Sequence, residues 1–263
     1  MSLRAIRRAA ALGFALAVCV LRFWLIRLRG SVSPESRALW LQAAARGVLS
    51  SLGIRTKFEG QIPLIGLVVS NHLSYLDIVI LSSVMPCFFI SKAEVAAWPF
   101  FGRAARAGGT IFLDRSSRSS ANAAAAEIAA RLGCALPILL FPEGTSSDGS
   151  EVLPFRSRLF LPAVQLQAPV TAAAIRYAPE DGAEERELCW YGDAPFLPHL
   201  SKVLGCPGFS AEIRFGQPQI YADARVAAEE THDRVALLRA AGPLRANAIG
   251  LEAAPSLSRV QQA

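Results

Sequence analysis

Apolar runs alternate with helix-like patterns along the chain from residue 64 onward. Short apolar runs bounded by polar or turn residues predict β-strands at residues 64–70, 87–91, 110–114, 137–141, 170–176 and 211–215. Apolar residues at helical spacing predict helices at residues 78–85, 99–107, 117–132, 157–167 and 224–239. Strands that alternate with helices predict an α/β fold, with a mostly parallel sheet flanked by helices.

The first 55 residues have a different pattern. Residues 9–26 are almost wholly apolar, interrupted by Arg22, and a second helical pattern at residues 34–52 follows Ser33-Pro34-Glu35, which is typical of a helix start. We therefore expect a membrane-associated helical hairpin at residues 1–55 and an α/β domain at residues 56–241. Residues 242–263, rich in alanine, serine and proline, predict a loosely ordered tail.

The charge distribution bears on how this hairpin meets a membrane. The first thirty residues contain six arginines and no acid, and basic residues that border an apolar helix favour a lipid surface. The apolar stretch is short for a span of about 20 residues, so immersion without crossing, one true span and a soluble packing role stay open. A cleaved signal peptide is disfavoured, because arginines follow the apolar core. The positive-inside tendency predicts a cytoplasmic (cell inner) membrane location, with the active site facing the cytoplasm.

Overall composition supports a lipid-associated protein. Charged residues make up 18% of the chain, below the average of about 25%, and the net charge is +6. The positive charge is concentrated on an apolar helix without interleaved aromatic residues, so nucleic acid is not a predicted partner. The five cysteines have no metal-ligand spacing, and we predict that they are reduced, that most are buried and that there is no metal site.

The most informative motif follows the first predicted strand. His72 lies five residues ahead of Asp77, and on one continuous helix these side chains would point about 140° apart. They can meet only if His72 precedes a helix and Asp77 lies in its first turn. An imidazole oriented by a carboxylate in this way can remove a proton from a hydroxyl.

Two other predicted strands also end in polar motifs. One ends in Asp114-Arg115, and the other is followed by Glu143-Gly144-Thr145. If the three strand ends lie side by side, Arg115 offers a planar cation to an anion, and residues 143–145 form a turn that can hold a polar head group. Each element also has an ordinary alternative: a structural histidine, a helix-capping aspartate, a surface ion pair and a simple turn.

Together these motifs resemble the 1-acylglycerol-3-phosphate O-acyltransferase family of glycerolipid acyltransferases. The matching residues are Asn71-His72-x4-Asp77, Phe112-Leu113-Asp114-Arg115, Phe141-Pro142-Glu143-Gly144-Thr145 and, more weakly, residues 168–175. The resemblance implies acyl transfer from acyl-CoA or acyl carrier protein, a co-substrate rather than a cofactor, to the hydroxyl of a lysolipid in a membrane. With 1-acylglycerol 3-phosphate as acceptor, the product is phosphatidic acid. It further implies His72 as general base, Asp77 as its orienting acid, and Arg115, Glu143, Gly144 and Thr145 at the acceptor head group.

The chain departs from the family pattern at two positions, and these keep the acceptor open. Ser146 stands where relatives that use lysophosphatidic acid often have arginine, and Ala172 stands where a second proline is usual. Residues 91–99, 190–193 and 198–200 instead resemble the branch that acylates lyso-ornithine lipid, a zwitterion with a free carboxylate. Lysophosphatidic acid, lyso-ornithine lipid and another lysolipid all remain candidate acceptors.

Two functions of other classes are alternatives to acyl transfer. One is a non-catalytic lipid-binding protein that keeps the pocket and the anchor. The other is a serine hydrolase, which the lack of a Gly-x-Ser-x-Gly elbow disfavours.

Overall fold

A computed structural model describes residues 2–98, 101–113 and 118–244. The α-helices in these residues are α1 (Leu3–Leu28), α2 (Pro34–Leu52), α3 (Leu76–Val84), α4 (Phe101–Ala107), α5 (Arg118–Leu132), α6 (Leu161–Gln165), α7 (Phe196–Gly205) and α8 (Ala224–Ala240). The strands are β1 (Ile54–Glu59), β2 (Leu67–Ser70), β3 (Phe88–Lys92), β4 (Ile111–Leu113), β5 (Ile138–Leu140), β6 (Val170–Pro179) and β7 (Phe209–Phe215). Short 3₁₀ helices lie at Ala93–Ala97, Ser157–Phe160 and Glu185–Glu187.

The seven strands form one sheet in the order β1-β7-β6-β2-β5-β3-β4. Every neighbouring pair is parallel except β6 and β7, which are antiparallel. The predicted α/β class with a mostly parallel sheet is therefore confirmed. Because β2, β5 and β6 are parallel, the loops that follow β2 and β5 leave the sheet at the same edge.

Apolar residues on both faces of the sheet build the core. Along β2, Val68 packs into one cluster with α3 and α7, while Leu67 and Val69 pack into the other with α5 and α8. A strand buried on both faces reads as a continuous apolar run rather than an alternating one, which is typical of parallel sheets covered by helices.

One strand and one α-helix lie outside the predicted elements. β1 is an edge strand with the sequence Ile-Arg-Thr-Lys-Phe-Glu, and its charges are common on edge strands but hide the apolar pattern. α7 begins directly after Pro195 and contains Pro198 in its first turn, where proline is tolerated. The predicted helix at 157–167 is divided instead into a 3₁₀ turn and α6, with Pro162 in the first turn of α6.

The N-terminal helices pair with each other and also contact the body. The indole Nε1 of Trp40 donates to the Cys19 carbonyl at 2.9 Å, and the rings of Phe23 and Trp40 are 5.0 Å apart. α2 also buries Leu49 and Leu52 in the core cluster that contains Val68. The boundary at residue 55 therefore remains a prediction, as does the loosely ordered tail, because residues 245–263 lie outside the described part.

α1 is long and apolar enough, by length and composition, to cross a membrane, and it is also close to the N-terminus. Its outer face exposes large apolar side chains, and the most exposed are Leu3, Phe14 and Leu28. Near its start, Arg8 donates to the carbonyls of Cys206 at 2.6 Å and Pro207 at 2.9 Å, just beyond α7. These bonds attach α1 to the body at that end.

Candidate active site

The site begins where β2 ends. The side chain of Asn71 continues the pairing of β2 with β6, since its Nδ2 donates to the Ile175 carbonyl at 3.1 Å and its Oδ1 accepts from the Ile175 N–H at 2.8 Å. The amide thus takes the place of a backbone partner beyond the last strand residue. This two-point attachment fixes the position from which His72 leaves the sheet edge.

The structure brings His72 and Asp77 together. His72 lies in the loop after β2, Asp77 lies in the first turn of α3, and the imidazole Nδ1 is 2.8 Å from Asp77 Oδ2. The same oxygen accepts the backbone N–H groups of Leu73 at 2.6 Å and Ser74 at 3.0 Å. A carboxylate only accepts, so Nδ1 carries the proton and Nε2 keeps its lone pair.

Burial and stacking hold this pair in place. The Asp77 side chain is fully buried, and the His72 side chain is 19% exposed. The imidazole stacks on Phe141, with ring centroids 4.1 Å apart. A substrate could therefore reach His72, while Asp77 remains shielded from water.

One residue of this site was missed at the sequence level. The hydroxyl of Tyr177, on β6, donates to Asp77 Oδ1. Burial raises the pKa of Tyr177 well above its ordinary value, and the nearby Asp77 charge raises it further, so the phenol remains a neutral donor. Alternation along β6 places Ala173, Ile175 and Tyr177 in one core cluster on the side of Asp77, but Tyr177 lies beyond the apolar run at residues 170–176 that predicts this strand.

Glu143 lies under the loop that follows β2 and carries His72, rather than on the surface. It is only 4% exposed, and its Oε1 accepts the His72 backbone N–H at 2.9 Å. Its Oε2 has no partner among the described residues. Burial raises the pKa of Glu143 to about 7, although the bond from the His72 N–H opposes that rise. Glu143 thus supports the loop that carries the imidazole.

The turn after Glu143 is shaped by glycine. Gly144 has a φ of 74°, a conformation that residues with a side chain rarely adopt. The guanidinium of Arg156 lies over it, because a Cβ at Gly144 would be 2.9 Å from the guanidinium carbon. Thr145 is exposed. Arg115 lies outside the described residues, so its predicted role remains a prediction.

A later segment of the chain packs over the loop that carries His72. Trp190 donates its backbone N–H to the Leu73 carbonyl at 2.9 Å, and its own carbonyl accepts the Ser146 hydroxyl at 2.6 Å. Its ring packs edge-on against Tyr75, 5.6 Å away, and against Trp98, 6.2 Å away. The segments around residues 98, 190 and 199 therefore meet at the motif that carries His72.

His199 has a supporting position in this cluster. Its Nδ1 lies 3.1 Å from the Tyr75 hydroxyl and its Nε2 lies 3.2 Å from the Leu188 carbonyl. Because a carbonyl only accepts, Nε2 carries the proton and Nδ1 accepts from Tyr75. Burial lowers the pKa of His199, although its bond to Leu188 opposes this, and a neutral imidazole fits both contacts.

Nothing in the described residues forms a metal centre. No group of three or more His, Cys, Asp or Glu side chains is arranged to hold an ion there. The catalytic-looking groups are one imidazole and its buried carboxylate, a pair suited to moving a proton.

Sequence comparisons identify the family to which the chain is similar. The family model described as Acyltransferase matches residues 57–176. A lyso-ornithine lipid O-acyltransferase of Brucella abortus is 34% identical, over 89% of this chain and 92% of the relative. A similar protein of Rhodobacter capsulatus with that name is 39% identical, over 73% and 71%. A 1-acyl-sn-glycerol-3-phosphate acyltransferase of Neisseria meningitidis is 36% identical, over 84% and 87%.

A solved structure supports the fold independently. The crystal structure of the 1-acyl-sn-glycerophosphate acyltransferase PlsC from Thermotoga maritima matches with a TM-score of 0.61, covering 92% of this chain and all of that one, at 21% identity. At that identity the likeness concerns the fold alone. The sequence relatives identify the family, and the chain belongs to the acyltransferases that include the 1-acyl-sn-glycerol-3-phosphate and lyso-ornithine lipid acyltransferases.

Proposed function

We propose that the chain is a membrane-bound lysolipid O-acyltransferase in which His72 is the general base and Asp77 orients it. The observation that carries the proposal is the 2.8 Å contact between His72 Nδ1 and Asp77 Oδ2. It leaves Nε2 as the nitrogen that can accept a proton. The acyl donor is a thioester of coenzyme A or of acyl carrier protein.

The reaction needs no nucleophilic side chain. The acceptor hydroxyl loses its proton to His72 Nε2 as its oxygen attacks the thioester carbonyl carbon, and a C–O bond forms. The C–S bond then breaks, and the imidazolium returns the proton to the leaving sulfur. The products are an ester and a free thiol. General base action of this kind contributes about 10²–10⁴-fold.

Asp77 serves two purposes in this scheme. It fixes the tautomer with the proton on Nδ1, and its charge stabilises the imidazolium that forms during attack. Its backbone donors at Leu73 and Ser74 and the Tyr177 hydroxyl keep the carboxylate in one orientation. A carboxylate held in this way does not need to reorganise as the imidazole becomes charged.

Two acceptors are supported by the names of similar proteins. One is 1-acylglycerol 3-phosphate, which would give phosphatidic acid, and the other is lyso-ornithine lipid, which would give ornithine lipid. Both carry an anionic group. Arg115, Glu143, Gly144 and Thr145 remain proposed to form the site for that group, and Arg156, over Gly144, is an additional cation beside the turn.

The membrane assignment rests on α1 and on the hydrophobic substrates that the family uses. α1 exposes apolar side chains along its length and begins with three arginines, at positions 4, 7 and 8. We propose that α1 holds the protein at the cytoplasmic (cell inner) membrane, with the active site facing the cytoplasm, so that a lysolipid reaches His72 from the bilayer.

The test is an assay with purified protein, labelled acyl-CoA or acyl carrier protein, and each lysolipid in vesicles. We expect labelled diacyl product with at least one acceptor. Lysolipid binding without turnover would instead indicate a non-catalytic lipid-binding protein. Thioester cleavage at the same rate without acceptor would indicate a hydrolase.

A further inference from the structure

The end of β6 extends past β2, its neighbour on one side. β2 ends at Ser70, so side chains, rather than β2, bond the β6 backbone at residues 175–177. Asn71 bonds both the N–H and the carbonyl of Ile175. The N–H of Tyr177 donates to Glu185 Oε1 at 2.7 Å. The position of this part of β6 therefore depends on side chains from other segments.

Arg239, in the last turn of α8, bonds the same part of β6. Its Nη1 donates at 2.6 Å to the Ile175 carbonyl, which also accepts the Asn71 side chain. Its guanidinium meets the Glu185 carboxylate at two points, with Nη2 2.7 Å from Oε2 and Nη1 3.3 Å from Oε1. Two planar groups paired in this way fix each other's orientation. Arg239 and Glu185 thus hold residues 175 and 177 in one arrangement.

The guanidinium also reaches the loop after β5. Nη2 of Arg239 donates to the Gly149 carbonyl. Gly149 in turn lies against the loop that carries His72, because a Cβ at Gly149 would be 3.1 Å from Cδ2 of Leu73. The side chains of Arg239 and Glu185 are only 10% and 21% exposed. The pair therefore joins α8, the end of β6 and the loop after β5 in a largely buried contact.

The residues that this pair holds are those that position the catalytic groups. Tyr177 donates its hydroxyl to Asp77 Oδ1, and Asn71 anchors the chain directly before His72. A shift of residues 175–177 would move both the donor to Asp77 and the anchor of the His72 loop. A largely buried ion pair adds little net stability, because desolvation offsets much of its attraction. Its effect on geometry is then the more informative property.

We propose that Arg239 and Glu185 are positioning residues for acyl transfer, which hold residues 175–177 so that Tyr177 keeps the Asp77 carboxylate aligned with His72. Neither side chain acts on substrate in this scheme. The inference rests on the proposed acyltransferase function, and it extends the machinery to α8, more than 160 residues after His72 in the sequence.

The test is steady-state kinetics of Arg239→Lys with each acceptor. Lysine keeps the charge but lacks the planar fork that bonds Glu185 and two carbonyls together. We expect kcat to fall about tenfold, with KM for the acceptor within about threefold of wild type, because the catalytic groups are misplaced rather than the lipid site. Glu185→Gln, which is nearly isosteric, should lower kcat in the same way and gives the same test if Arg239→Lys does not fold.

A double variant with Tyr177→Phe tests the route of the effect. If the pair acts through Tyr177, the loss in kcat for Arg239→Lys combined with Tyr177→Phe should be smaller than the product of the two single losses. The pairing of Glu185→Gln with Tyr177→Phe should behave likewise. A full product would mean that the pair acts independently of Tyr177, and this would overturn the inference.

The matched control is Arg214→Lys. The Arg214 side chain is also 10% exposed, and its Nε donates to Glu59 at 3.0 Å, at the β1 edge of the sheet. It should leave kcat unchanged, and thermal unfolding of every variant measures the loss of stability. If Arg239→Lys and Glu185→Gln both keep kcat within about threefold of wild type, the pair is structural only and the inference is wrong. Absence of transfer by wild type would instead contradict the proposed function itself.

Discussion

Asp77 accepts four hydrogen bonds, and its side chain is fully buried. Three donors converge on Oδ2, from His72, Leu73 and Ser74, and the Tyr177 hydroxyl donates to Oδ1. The first three come from the motif itself, whereas Tyr177 comes from a strand about one hundred residues later. Tyr177 is therefore a positioning residue, because it acts on the imidazole through the carboxylate.

Replacing Tyr177 by phenylalanine tests this role. The change leaves Oδ1 of Asp77 buried without its donor, so we expect a loss of about 1–3 kcal/mol in the free energy of unfolding and about a tenfold lower kcat/KM. A carboxylate with fewer donors holds an imidazolium more strongly, so the acid limb of the pH–rate profile should move to higher pH.

The control for this variant is Tyr221→Phe, since Tyr221 is buried in the other core cluster. It should leave the pH–rate profile where it is. If Tyr177→Phe lowers stability but leaves the acid limb unmoved, then Tyr177 is structural only.

Glu143 gives a second test at this scale, through stability. Its pKa is about 7 in the folded protein, against an ordinary value of 4.5. Between these values the folded protein keeps a proton that the unfolded chain has released, so stability falls as pH rises through this window. We expect the contribution of Glu143 to the free energy of unfolding to fall by about 2–3 kcal/mol as the pH rises from 5 to 8.

Glu143→Gln should remove this contribution, because glutamine keeps the oxygen that accepts the His72 N–H but does not titrate. The measurement is denaturant unfolding of both proteins at pH 5 and pH 8. The same loss of stability in both proteins over this interval would mean that Glu143 is not the titrating group.

At the scale of elements, the strands that build the site could be predicted from the sequence, whereas β1 could not. β2 and β5 are buried on both faces and therefore appear as uninterrupted apolar runs. β1 carries Arg55, Lys57 and Glu59, which remove that pattern. Its place is set by pairing with β7, a contact that joins residues far apart in the chain.

The end of β6 shows why Tyr177 was missed. The apolar run suggested that the strand stops at residue 176, but antiparallel pairing with β7 extends it to Pro179, and Tyr177 pairs with Ala211. When pairing with a distant strand adds three residues, the length of the strand cannot be predicted from its own composition. The residue that completes the Asp77 environment lies in that extension.

Helix α1 is the element whose exposed face we expect to contact lipid. Phe14 is 74% exposed on α1, and a charge in lipid is unfavourable. Phe14→Asp should therefore lower the partition constant for vesicles containing anionic lipid by about tenfold. The measurement is the fraction of protein that sediments with the vesicles.

The matched control is Leu237→Asp, since Leu237 is 71% exposed on α8. It should sediment as wild type does. Equal binding of Phe14→Asp and wild type would contradict a membrane role for this face of α1.

At the scale of the whole molecule, the fold brings together segments that are distant in sequence. The loops after β2 and β5 meet because their strands are parallel neighbours, and this part of the site followed from the predicted sheet. The Trp190 segment reaches the same place through bonds to Leu73 and Ser146. No local pattern at residue 190 indicates those partners, so this half of the site required the structure.

In the proposed mechanism of the assembled molecule, His72 takes the proton of the acceptor hydroxyl. The direct test is single-turnover acyl transfer by wild type and His72→Ala, with His232→Ala as a control because His232 lies on α8 beside Val152, outside the site. We expect the chemical step of His72→Ala to slow by at least about 10²-fold, with lysolipid binding changed little and His232→Ala unchanged. A single-turnover rate for His72→Ala within about threefold of wild type would contradict the proposed mechanism.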